Sequence, residues 1–112
     1  MTHPTPDTPD APLLAEWVVA PEPGAFAEHF PGHPIVPGAC LLDAAVAGVE
    51  AASGQRVRAV TACKLLAPVA PGERLRLHAH LSQAQARFTL TRGDGVVAST
   101  GTLRLETSDA TT

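Results

Sequence analysis

Between Ala39 and Val49 the chain leaves a helix almost no polar side. Ala39, Cys40, Leu41, Leu42, Ala44, Ala45, Val46, Ala47 and Val49 surround a lone Asp43, and Ser53-Gly54 follows as a stop signal. The pattern predicts one helix over Gly38–Ala52, of about four turns at 3.6 residues per turn. Apolar on every side, such a helix is expected to be wrapped by the rest of the protein rather than to lie on its surface. It is also too short, and too plainly interrupted by Asp43, to span a membrane.

What wraps it must come from the segments around it. Leu13–Ala20 reads as a first strand, broken by Pro21-Glu22-Pro23-Gly24, and a Pro-rich loop runs from Phe26 to Pro37. After the helix, Arg56–Val69 carries strand signals at Val57, Val60 and Val69, with Ala67-Pro68 as an end and Pro71-Gly72 as a turn. Arg74–Leu81 alternates, with Leu75, Leu77, Ala79 and Leu81 predicted inward and Arg74, Arg76, His78 and His80 outward. Ala84–Arg92 does the same with Ala84, Ala86, Phe88 and Leu90 inward. Gly93-Asp94-Gly95 then makes a hairpin into a last strand, Val96–Glu106. One apolar helix followed by an antiparallel meander is an α+β pattern, and a curved sheet closing around a central helix satisfies both signals. Residues 13–106 form the single expected domain. Residues 1–12 and 107–112, rich in Pro, Thr and Asp, are expected to be tails.

Composition sharpens this. The chain has 112 residues and is 45% hydrophobic, yet it holds one Trp, three Phe and no Tyr, so Ala supplies much of the apolar count. A core of such small side chains is thin for one copy, and a dimer is expected. A net charge of −3 argues against a nucleic-acid partner, which calls for a basic face. The first residues lack the basic start and apolar stretch of a signal peptide, and the expectation is a cytoplasmic protein with no membrane partner. Cys40 and Cys63 both lie in apolar stretches and read as two reduced core thiols.

The stretch that carries chemistry is His29-Phe30-Pro31-Gly32-His33-Pro34-Ile35-Val36-Pro37-Gly38. Its prolines fix φ and stiffen the loop that holds His29. Pro37-Gly38 delivers the chain to a helix N-terminus, whose unpaired N–H groups suit a carbonyl oxygen gaining negative charge. Asp43 follows about 7.5 Å along the helix at 1.5 Å per residue. Apolar surroundings would favour its protonated form, as an acid catalyst requires. A base, an oxyanion donor and an acid thus fall within one segment. The same residues also fit a chemically inert arrangement, in which a Pro-rich loop carries one His and the Asp caps a backbone group.

The motif His29-Phe30-Pro31-Gly32-x-Pro34-x-x-Pro37-Gly38 with Asp43 resembles the signature of the hot-dog-fold 3-hydroxyacyl-[acyl carrier protein] dehydratases. Lys64-Leu65-Leu66-Ala67-Pro68-Val69-Ala70-Pro71-Gly72-Glu73-Arg74-Leu75 is similar to that family's second motif, and the resemblance runs from about Glu16 to Arg104. It implies a long central helix wrapped by an antiparallel sheet, in a homodimer or a heterodimer with a related subunit, the two sheets joined edge to edge. It also implies removal of water from a 3-hydroxyacyl thioester on acyl carrier protein, giving the trans-2-enoyl thioester for fatty-acid, aryl polyene or related acyl synthesis. His29 would take the C2 proton, Asp43 of the partner's helix would serve the leaving hydroxyl, and the Gly38 N–H would polarise the thioester carbonyl. Phe30, Pro31, Gly32 and Pro37 would line the substrate. Neither cofactor nor metal is called for. Two positions depart from the family pattern: Glu28 stands where Gly is usual, and Ala47 where Gln is frequent.

Other features carry less. His78 and His80 on one strand face, and His29 and His33 in the loop, lack a third ligand and read as solvated side chains rather than a zinc site. Arg56, Arg58, Lys64, Arg74 and Arg76 concentrate positive charge where an acidic carrier protein would dock, or are simply scattered outward positions. A hot-dog thioesterase and a non-catalytic acyl-binding or scaffold subunit are the competing readings.

Overall fold

Alternation decides the sheet. The computed structural model describes residues 11–19 and 36–106. Among these are strands β1 (Leu13–Val18), β2 (Val57–Leu65), β3 (Arg74–Leu81), β4 (Gln85–Arg92) and β5 (Val97–Leu105), and one helix, α1 (Gly38–Ser53). The strands form one antiparallel sheet in the order β1-β3-β4-β5-β2. On β3 and β4, Leu75, Leu77, Ala79, Ala86, Phe88 and Leu90 are buried, with Leu77 opposite Leu90 and Ala79 opposite Phe88. Their neighbours in sequence point to the other face, as a period of two requires. Leu81 and Ala84, predicted inward, are exposed. They flank the turn that Ser82 and Gln85 close by hydrogen bonding, where the sheet ends.

The helix lies across the inner face of β1 to β4. Leu41, Ala45 and Val49, spaced by four, form its buried stripe and join Leu75, Leu77, Phe88, Leu103 and Leu105 in one core. Each such leucine adds about 2 kcal/mol of apolar transfer free energy. Glycine permits the close approach: a Cβ at Gly48 would strike the Leu77 side chain, and one at Gly101 would enter the Phe88 ring. Gly54 ends the helix in the left-handed region at φ 72° and donates its N–H to Glu50 O at 2.9 Å. A Glu50 carboxylate oxygen in turn accepts the Val57 N–H at 2.8 Å, which ties the helix end to the start of β2.

The expectation of a helix wrapped on all sides is corrected here. Ala39, Cys40, Asp43, Ala47 and Ala51 are exposed. The sheet covers only one stripe, so small apolar residues on the opposite face stay uncovered by the described residues. Among the described residues β2 forms the other sheet edge, paired with β5 only. Val60 and Leu65 on it, and Leu66 just past it, are exposed.

Candidate active site

Two segments frame the start of α1. After β2 the chain turns into a strap, residues 66–73, whose Leu66 and Ala67 amides both donate to Ala98 O, at 2.8 and 3.2 Å. The Val69 carbonyl of this strap accepts the Val36 N–H at 2.7 Å, just ahead of Pro37 and Gly38. Pro37 is the N-cap residue, with φ −59° and ψ 145°, and its carbonyl accepts from the Cys40 and Leu41 amides. No described side chain caps this terminus, and the first turn holds no acid. The positive end of the helix is therefore not neutralised by a described side chain.

Beside it lies a depression of about 290 Å³, lined by Val36, Gly38, Leu41, Leu65, Leu66, Ala67 and Pro68. Gly38 lets the Leu65 side chain lie close, because a Cβ there would push the tip of that side chain aside. An apolar hollow beside helix N–H groups is suited to an acyl group whose carbonyl oxygen takes on negative charge. The lining leucines were not singled out from sequence as site residues. Their signal is the adjacent pair Leu65-Leu66, which breaks strand alternation, so that both cannot face one side of a sheet.

Of the residues singled out from sequence, Gly38 lines this hollow, and Pro37 precedes it as the N-cap without lining it. His29, Phe30, Pro31 and Gly32 lie outside the described residues, as do Glu28 and His33. Asp43 does not line the hollow. It sits on the exposed face of α1 with Cys40 and Ala47, so the enclosed, apolar environment expected for it is not provided by the described residues.

The thiols also depart from expectation. Cys40 and Cys63 are free but exposed, one on the helix face turned from the sheet and the other on the edge strand. Cys63 Sγ lies 4.0 Å from Ser99 Oγ. The basic residues do not gather into one patch. Arg74 and Arg76 share the Glu16 carboxylate, at 3.3 and 3.1 Å, near the β1 edge, whereas Lys64 lies on the opposite edge strand. A second, wider hollow of about 520 Å³ includes Lys64, His80, Arg87, Thr89, Thr100 and Thr102 in its lining. Among the described residues no three His, Cys, Asp or Glu side chains converge as metal ligands. No described helix is long and apolar enough to cross a membrane.

Known proteins give this geometry its context. The family model described as ApeI-like, ApeI dehydratase, matches residues 6–102. The chain is 30% identical over 121 residues to the 3-hydroxyacyl-[acyl-carrier-protein] dehydratase FabZ of Geotalea uraniireducens (strain Rf4), covering 82% of this chain and 83% of that protein. It is 28% identical over 112 residues to the enzyme of the same name from Anaeromyxobacter sp. (strain Fw109-5), covering 76% of this chain and 71% of that one. Among solved structures, the dehydratase heterocomplex ApeI:P from Xenorhabdus doucetiae superposes with a TM-score of 0.66 at 23% identity, over 80% of this chain and 82% of that one. The helix laid across an antiparallel sheet is thus the hot-dog fold. With a family model spanning most of its length, this chain belongs to the ApeI-like dehydratase family.

Proposed function

We propose that this protein removes water from a 3-hydroxyacyl thioester carried by an acyl carrier protein, giving the trans-2-enoyl thioester for fatty-acid or aryl polyene synthesis. The observation that carries this reading is the apolar hollow at Gly38, beside a helix N-terminus that no described side chain caps, in a chain of a dehydratase family. The acyl group occupies the hollow, and the Gly38 N–H donates to the thioester oxygen as negative charge builds on it. His29 takes the C2 proton, and the resulting enolate expels the C3 hydroxyl. Asp43 donates the proton with which that hydroxyl leaves as water. His29 ends protonated and Asp43 ionised, and proton exchange with solvent restores both. Phe30, Pro31, Gly32 and Pro37 shape the wall around the reacting carbons.

Asp43 performs this role across an interface. It lies on the exposed helix face, the β2 edge is also open among the described residues, and both suit a second copy or a related subunit that continues the sheet from β2. The partner's hollow then meets this chain's acid. An acidic carrier protein is drawn to the exposed Arg56, Arg58 and Lys64.

The test is to incubate the protein with a 3-hydroxyacyl carrier protein and follow the product by mass. Loss of water is expected, and it should fall at least about a thousandfold in His29→Ala and Asp43→Asn, as for removal of a general acid or base. Release of free acid would identify a thioesterase, and binding without turnover a scaffold subunit.

A further inference from the structure

The geometry points to Arg92 as the positioning residue of this site: it clamps the strap against which the helix N-terminus is set. The inference rests on the dehydratase reading above. Arg92 ends β4, and its side chain is 19% exposed. Its Nε and Nη2 donate to the two carboxylate oxygens of Asp94 at 3.1 and 2.6 Å, which fixes the plane of the guanidinium. Nη1 is then left to donate to the Pro68 carbonyl at 2.8 Å. On the same side Nε lies 3.7 Å from one Glu73 oxygen, while the other Glu73 oxygen accepts the Ala70 N–H at 2.9 Å.

Pro68 and Ala70 flank Val69, and Val69 O holds the Val36 N–H. Arg92 therefore reaches the site in two steps: guanidinium to Pro68, then Val69 to Val36, which leads straight into Pro37 and Gly38. The bond to Pro68 spans 24 positions of sequence, whereas the pair with Asp94 is local to the hairpin. A residue that only closed the hairpin would have no need of the Pro68 carbonyl. Lysine would not serve in its place, since a single ammonium lacks the flat, divergent donors that grip a carboxylate and a carbonyl together.

The test measures amide hydrogen exchange by NMR and steady-state dehydration of a 3-hydroxybutyryl N-acetylcysteamine thioester. In Arg92→Ala the Val36 amide should exchange about tenfold faster or more, while Leu77 and Leu90 in the β3–β4 ladder keep their protection. Its kcat should fall about tenfold with KM within about twofold, because the helix N-terminus that Arg92 positions acts on the transition state. Arg92→Lys should give an intermediate Val36 rate, and this variant carries the test should the alanine variant fail to fold. Asp94→Ala, which keeps the Nη1 donor and loses only the carboxylate that fixes its plane, should raise the Val36 rate clearly less than Arg92→Ala does. An unchanged Val36 rate in Arg92→Ala, or an equal rise in Asp94→Ala, overturns the clamp. Should the wild-type protein leave the thioester intact, the dehydratase reading fails, and the exchange rates still decide the clamp.

Discussion

His78 stands on the outer face of β3, and its Nδ1 is buried with no partner among the described residues. Burial, and next to it the charge of Arg76, hold its pKa below the ordinary 6.5. The unfolded chain therefore binds this proton more readily than the folded one. The stability involved is fully present above about pH 6.5 and is lost as pH falls through the lowered folded value. Melting curves between pH 7.5 and 5 should show His78→Gln losing less stability than the wild type; equal losses would remove His78 as a source of acid sensitivity. Asp94 moves the same way for another reason, brought to about 2 by its bond from Arg92 and, after that, by the Val96 N–H. Its contribution is present above the ordinary carboxylate value and is lost only as pH falls through about 2, so the Arg92 pair stays charged in mildly acidic buffer. Alternation in the sequence placed His78 outward, but its orphaned nitrogen depends on which neighbours fold over it. At Gly38 the site motif was legible from spacing, while the Leu65 side chain that lies against it comes from a strand far along the chain.

At the scale of elements, the β3–β4 hairpin was readable almost residue by residue, because period-two patterning reports which face is buried. Its centre is Phe88, 2% exposed, with its ring over Gly101 of β5. Phe88→Ala should cost about 3–5 kcal/mol, measured by denaturant unfolding. A loss under about 1 kcal/mol would mean that the ring is not the core anchor described here. The helix was legible in its extent and in its Gly54 stop, but not in its surroundings. An apolar helix signals that every face is to be covered, and cannot say by which chain. The strap after β2 was less legible still, since strand signals ran on to Val69 while β2 ends at Leu65. Backbone bonds to Ala98 and Val36, both distant in sequence, set that end. Because Leu66 walls the hollow, Leu66→Trp should narrow it. The ratio of kcat/KM for an eight-carbon over a four-carbon 3-hydroxyacyl thioester should drop about tenfold, the scale on which hydrophobic pockets discriminate chain length. An unaltered ratio would place the acyl chain elsewhere.

At the scale of the whole molecule, two surfaces stand open among the described residues: the edge of β2 and the helix stripe of Cys40, Asp43 and Ala47. An open edge with exposed Val60, Leu65 and Leu66 is a template for another strand, and charge on such an edge opposes pairing. Gel filtration should therefore find at least twice the 11.6 kDa of one chain. Val60→Lys combined with Ala62→Lys should shift it toward one chain and abolish dehydration together, since Asp43 would no longer meet a partner's hollow. Retained turnover by a single chain would rule out the shared site. The sequence by itself determined the α+β class, the inward rows of β3 and β4, the helix and its stop, and the motif that leads to the dehydratase family. Those features are local, set by periodicity, turn chemistry and contiguous residues. Tertiary structure alone decided that the helix buries one stripe and bares the other, that both thiols lie at the surface, that Leu65 and Leu66 line the hollow at Gly38, and that Arg92 grips the Pro68 carbonyl. Such facts arise where strands distant in sequence come side by side, and no pattern within one segment carries them.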